Sequence, residues 1–165
     1  MFAFFRNSNE DWTFMDPNIF HTIRIGVDIK WQRATRTYEW TYHICMYDGP
    51  VIPSTSGDVE LARPGRTVII YELLEECRGS YQLLHVNLDP GRCATSQIES
   101  VCVDHDANKI TVIDRNDGGA TGSTPFSLKL VARMKDNIAS GFISPDPQVV
   151  NTKDLRLYEP MTAVG

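Results

Sequence analysis

Apolar residues recur at every second position in three stretches of this chain. In the first, Ile23, Ile25, Val27, Ile29 and Trp31 alternate with Arg24, Gly26, Asp28 and Lys30. In the second, Tyr38, Trp40, Tyr42, Ile44 and Met46 alternate with Glu39, Thr41, His43 and Cys45. In the third, Leu128, Leu130, Ala132 and Met134 fall opposite Ser127, Lys129 and Arg133. A period of two gathers the apolar side chains on one face of a strand, whereas a helix would scatter them around its circumference. Each stretch is therefore predicted to be a two-faced strand, greasy toward a core and polar toward water. The third leads through the polar reversal Lys135-Asp136-Asn137 into an apolar segment at Ile138, Phe142 and Ile143. Pro145 and Pro147 end that segment, because each fixes its own φ and lacks a backbone donor. The pattern is that of a hairpin closing a sheet, with Phe142 as its core plug.

Shorter strands are predicted at 58–62, 67–71, 81–88, 101–103 and 110–113. Turn-forming runs separate them: Asp48-Gly49-Pro50, Arg63-Pro64-Gly65-Arg66 and Asp89-Pro90-Gly91. Proline pre-sets φ in such turns and glycine accepts a positive one. Residues 72–77 fit either a single helical turn or an irregular strand end. Residues 114–124 contain three glycines and no apolar period, as a surface loop does. Eight or nine short strands with almost no room for a helix define the fold class as all-β, an antiparallel sandwich or barrel, of which a two-sheet β-sandwich resembling a jelly roll is favoured. At 165 residues the chain is expected to form one domain, 1–165, with 1–18 and 151–165 as less regular ends.

Charge narrows the function. The formal net charge is -5, and no stripe of Lys and Arg is present to follow a phosphate backbone, so nucleic acid is not an expected partner. No apolar run reaches the length of a membrane span. The opening MFAFFR lacks the basic region and long apolar stretch of a secretion signal, and a cytoplasmic location is expected. Cys45, Cys77, Cys93 and Cys102 include no CxxC pair. They are expected to be free thiols, with Cys45 and Cys102 partly buried in strands.

A set of segments resembles the AidA/PixA family of bacterial inclusion-body proteins. They are Tyr42-His43-Ile44-Cys45-Met46, then Ser56-Gly57-Asp58-Val59-Glu60-Leu61, Pro64-Gly65-Arg66-Thr67-Val68, Tyr81-Gln82-Leu83-Leu84 and finally Gly141-Phe142-Ile143-Ser144-Pro145-Asp146-Pro147. On that resemblance Asp58 and Leu61 fall in the family's second strand. Phe142, Asp146 and Pro147 match its closing motif. The sequence departs from the pattern where Pro145 stands in place of a tryptophan and Arg66 in place of a turn aspartate. The resemblance implies accumulation and inclusion formation, with no established enzymatic activity.

Candidate chemistry is sparse. No GxSxG, HExxH, P-loop or dinucleotide-binding glycine pattern occurs, and no catalytic residue is assigned. Asp104, Asp106, Asp114 and Asn116 offer oxygen ligands suited to Ca²⁺, though Asp and Asn also build turns and the distal glutamate of a calcium loop is missing. No other cofactor is expected. Aromatic rings at the ends of strands can stack on sugars or apolar ligands, which makes Trp12, Tyr47 and Tyr71, with His85, the candidate ligand-binding set. Trp31 and Trp40 are expected to face the core. The sequence therefore points first to a non-enzymatic protein acting by self-association or surface binding, with a second copy as partner. The alternative is a jelly-roll module for a glycan or small ligand; a hydrolytic enzyme ranks third.

Overall fold

The computed structural model describes residues 19–48, 51–53, 59–61, 66–89, 98–115, 124–145 and 148–151. In chain order these form β1 (Ile19–Gln32), β2 (Thr37–Tyr47), β3 (Val51–Pro53), β4 (Val59–Leu61) and β5 (Arg66–Leu73). A single turn of helix, α1 (Glu75–Arg78), follows, and then β6 (Tyr81–Asp89), β7 (Ile98–Asp104) and β8 (Lys109–Asp114). The last three strands are β9 (Thr124–Met134), β10 (Asn137–Ile143) and β11 (Gln148–Asn151).

The first sheet has the order β2-β1-β5-β8-β7, antiparallel throughout except for the central parallel pair β1 and β5. In the second, β6 lies along one side of β9, while β10 and then β11 share its other side, followed by β4 and β3. The pair β11 and β4 is also parallel. The protein is thus a two-sheet, mostly antiparallel sandwich. Two sheets with one greasy face each have little alternative to stacking those faces together.

The shared interior is built from the predicted positions. Ile23, Ile25, Val27 and Ile29 of β1, Ile69, Tyr71 and Leu73 of β5 and Ile110 and Val112 of β8 form one buried cluster with Leu128, Leu130 and Ala132 of β9 in the other sheet. Burying a side chain of this size contributes about 1.5–3 kcal/mol, so β1 alone anchors much of the core.

Three breaks in regular pairing are closed by single residues. Where β5 ends, Leu74 still donates its N–H to the Val27 carbonyl, at 3.0 Å. Beyond it the Ile29 N–H would be an orphan, and the Cys77 sulfur of α1 accepts it at 3.3 Å. Between β10 and β11 the Ser144 hydroxyl accepts the Leu130 N–H at 2.8 Å, while the Ser144 N–H returns a bond to the Leu130 carbonyl at 2.8 Å. One buried serine thereby replaces a strand neighbour. In the β7–β8 turn the Asp104 carboxylate accepts the Ala107 N–H at 2.9 Å. Asn108 adopts a left-handed backbone with φ 51°. Its carbonyl accepts the Leu73 N–H at 3.0 Å, tying the turn to the end of β5.

Several expectations require correction. Trp31 is 46% exposed: it sits next to the end of β1 with its ring tilted against its cross-strand partner Tyr38. The even alternation expected over 38–46 stops at a bulge: Ile25 pairs with Ile44 but Arg24 pairs with Met46, leaving Cys45 as the extra residue. Met46 is thereby carried to the outer face. Cys45 and Cys102 are exposed instead of partly buried, and it is Cys77 that is enclosed. Residues 72–77 divide into the end of β5 and one turn of helix.

The left-handed turn residue yields a stability test. Asn108→Val forces a β-branched side chain into a positive φ and is expected to cost about 1–2 kcal/mol. Asn108→Gly is expected to leave the urea midpoint nearly unchanged, and an equal loss in both variants would count against the backbone account.

Candidate functional site

The outermost strand of the first sheet is its most unusual surface. Among the described residues β2 pairs only with β1. Its first half is ordinary: Trp40 and Tyr42 point inward and are buried. From His43 to Tyr47 every residue is exposed. Ile44 is 37% exposed, Met46 43% and Tyr47 57%. Ile44 and Tyr47 stand opposite the inward residues Ile25 and Ile23 of β1, and so belong to the inner face. His43 and Cys45 lie on the outer face. His43 pairs with the outward Gly26, and a Cβ placed on Gly26 would meet the Cys45 sulfur at 3.1 Å. A long edge strand normally carries lysine, proline or an inward charge as protection. The stretch His43-Ile44-Cys45-Met46-Tyr47 has none of these, and only its bulge bends it away from a flat edge.

The second sheet ends differently. Its edge strand β3 has three residues and finishes at Pro53, which has no N–H to offer. At the other edge, β6 has a bulge between Leu83 and His85. The His105 ring lies with Nδ1 3.1 Å from the Leu83 carbonyl, a contact that requires the Nδ1–H tautomer or the charged ring. This bond links the β7–β8 turn of one sheet to the edge of the other.

An aromatic rim closes the end of the sandwich near the β1–β2 turn. Tyr38 stacks on Phe142 with centroids 3.7 Å apart and planes 10° from parallel. Trp31 tilts against Tyr38 at 4.9 Å, and Tyr81 meets Phe142 edge-on at 5.9 Å. The Tyr38 hydroxyl donates to the Met134 sulfur at 3.2 Å. Phe142 therefore acts as the expected plug, and the exposed face of Trp31 is the rim's contact with solvent.

Beside the rim, on the outer face of β1, sits a polar cluster. The Cys77 thiol donates to Asp28 Oδ1 at 3.1 Å, and Lys30 pairs with the other carboxylate oxygen. Burial alone would raise the Asp28 pKa. The hydrogen bonds from Lys30 and Cys77, with the charges of Lys30 and His43, outweigh it and hold the carboxyl below its usual range. Burial pushes the Cys77 thiol up, so it stays a neutral donor and a poor nucleophile. Nearby, Glu72 receives Arg78 and, at 3.9 Å, Arg24, while Arg78 Nε donates to the Leu73 carbonyl at 2.9 Å. These pairs fasten α1 to β5 and stay open to water, where ion pairs are weak.

The candidate residues from the sequence disperse over this frame. Tyr47 lies on the exposed edge, and His85 is exposed on β6. Tyr71 is fully enclosed in the core, which takes it out of any open binding face. Asp104 caps a turn and Asp106 is an exposed member of it. Asp114 is buried at the far end of β8, five residues from Lys109 and so about 17 Å along the strand, which prevents Asp114 from sharing an ion with Asp104. Among the described residues no group of three or more His, Cys, Asp or Glu is arranged to hold a metal. Leu61 closes β4. Trp12, Asp58, Asn116, Asp146 and Pro147 lie outside the described residues. Sequence reasoning missed the exposure of Trp31 because alternation assigns a face and not the degree of cover near a strand end.

The mostly antiparallel two-sheet sandwich defines the structural class. Within it, the chain belongs to the DP-EP family, whose pattern matches residues 21–153. Among curated proteins none matches the chain. A solved structure to which it is similar is the inclusion body protein PixA from Burkholderia cenocepacia. The two share 10% sequence identity over 78% of this chain and 91% of that one, with a TM-score of 0.39. The family assignment rests on the DP-EP match alone. Among the described residues no helix is long and apolar enough to cross a membrane.

The Asp28 cluster has a signed pH consequence. A carboxyl whose pKa is depressed on folding contributes stability above its unfolded value of 3.8, and that contribution disappears as pH falls through the lower folded value. Urea midpoints of the wild type and Asp28→Asn are expected to differ at pH 6 and to converge near pH 2. A constant gap across that window would show that the carboxylate charge contributes nothing.

Proposed function

We propose that this protein is a non-enzymatic structural module that associates with copies of itself through the open edge of its first sheet. The observation that carries the reading is the exposure of His43 through Tyr47 at the end of an 11-residue edge strand, a stretch with no lysine, proline or carboxylate. Unpaired backbone donors and acceptors along such an edge are satisfied most fully by another strand. Apolar side chains beside them add a modest hydrophobic gain when covered. A pairing of short strands buries little area, so association should depend on protein concentration. A reducing, cytoplasmic setting is part of the proposal. It suits Cys45, Cys77 and Cys102, all of which are free thiols.

Sedimentation velocity tests this directly. The wild type is expected to shift from monomer to larger species as concentration rises to the high micromolar range. Ile44→Lys should remain monomeric with an unchanged melting temperature, since a lysine on the edge repels a second copy while snorkelling into water. A wild type that stays monomeric throughout would remove the proposal.

The exposed Trp31 at the aromatic rim favours a second reading, a weak platform for sugars or other flat ligands. A glycan array screened with and without Ca²⁺ is the measurement. A glycan bound by the wild type should lose at least tenfold in affinity with Trp31→Ala; undiminished binding would eliminate this platform.

A further inference from the structure

Among the described residues neither edge strand of the first sheet has a second strand partner, and the two edges have opposite polarity. β2 runs antiparallel to β1, β1 runs parallel to β5, and two further antiparallel steps through β8 bring β7 back to the direction of β1. β2 therefore runs opposite to β7. If a second copy is placed beside the first with its inner face turned the same way, its β2 meets the first copy's β7 antiparallel, the more stable arrangement. Among the described residues β7 pairs only with β8, and residues 99–102 are all exposed, Val101 by 37%.

We infer that the protein assembles head to tail, β2 of one copy pairing with β7 of the next, so that the first sheet continues from molecule to molecule. This rests on the edge-association reading above and adds its geometry. The two strands have matching faces. On β7, Cys102 and Asp104 pair with Thr111 and Lys109 and point outward, whereas Val103 pairs with the buried Ile110 and points inward. On β2, His43 and Cys45 lie on the outer face and Ile44 on the inner. One antiparallel register satisfies all of these together. It sets His43 opposite Asp104, Ile44 opposite Val103, and Cys45 opposite Cys102.

The bulge extends the match. Two residues of a bulged strand oppose one residue of the partner, so Cys45 and Met46 together face Cys102, and Tyr47 falls opposite Val101. Tyr47 and Val101 are inner-face residues, each left exposed within its own molecule. The register covers both and places an imidazole beside a carboxylate. A shift of one residue would set outer side chains against inner ones along the whole contact. A symmetric pairing of β2 with another β2 closes on itself as a dimer. The β2-to-β7 contact is heterologous and leaves a free edge at each end, so it propagates.

The two exposed cysteines report the geometry. In a background carrying Cys93→Ser, a short bismaleimide cross-linker is expected to convert concentrated protein into a ladder of covalent oligomers. Cys45→Ser and Cys102→Ser should each abolish the ladder when used alone. Mixing those two variants should restore cross-linking but stop it at dimers, because each pair then holds one usable cysteine couple. Cross-linking of the Cys102→Ser variant by itself would establish a β2-to-β2 pair and overturn the inference, with edge association intact. Association in the centrifuge without any cross-link in the mixture would overturn it as well. Monomer under all conditions would sink the edge-association reading, and this geometry along with it.

Discussion

Strand β1 is longer than anything available to pair with it. It has 14 residues, whereas β5 on one side has eight and β2 on the other has 11 with a bulge. A strand in the middle of a sheet cannot leave backbone groups buried and unpaired. Much of the structure near that strand is a response to this constraint. The parallel partner stops at Leu73, and α1 takes up the vacated position with the Cys77 sulfur on the Ile29 amide. Asp28 then holds the thiol proton, and Lys30 holds Asp28. A cysteine that sequence inspection could have assigned to redox chemistry is here a backbone substitute, shielded and neutral.

Those parts of the fold governed by side-chain period were legible in the sequence. Ile23 through Ile29 and Leu128 through Ala132 face each other across the core as their alternation requires. What escaped was governed by where neighbours end. Trp31 obeys the period of β1 yet is nearly half exposed, because period says nothing about how completely a position near a strand end is covered. Met46 obeys the expected pattern on paper, but the bulge at Cys45 turns it outward, and one extra residue leaves no mark in composition. Tyr71 looks like an end-of-strand aromatic only until β1 and β8 are placed on either side of it. Strand β11 is four residues long and depends on its partners β9 and β4 for its existence.

The aspartates tell the same story about sites. Asp104 and Asp106 lie together in sequence because they make a turn, and Asp114 joins them only by the arithmetic of spacing. Once β8 is drawn as an extended rod, its two ends cannot share one ion. The features that do suggest a role, the edge of β2 and the open face of Trp31, come from what fails to cover them among the described residues. DP-EP membership extends over most of the same chain, from residue 21 to residue 153. The two open surfaces are therefore carried by the part of the sequence that the family pattern matches.

The unequal finish of the two sheets has a geometric result. One flank of the second layer stops in a three-residue strand whose last member is a proline, and its other flank, β6, carries a bulge that bends it and a contact from His105. Among the described residues the other layer has no further strand on either flank. Growth limited to one layer of a double-layered molecule would have a single axis, producing a narrow ribbon with the second layer riding along its side. The inherited twist between adjacent strands would wind that ribbon gently as it lengthened.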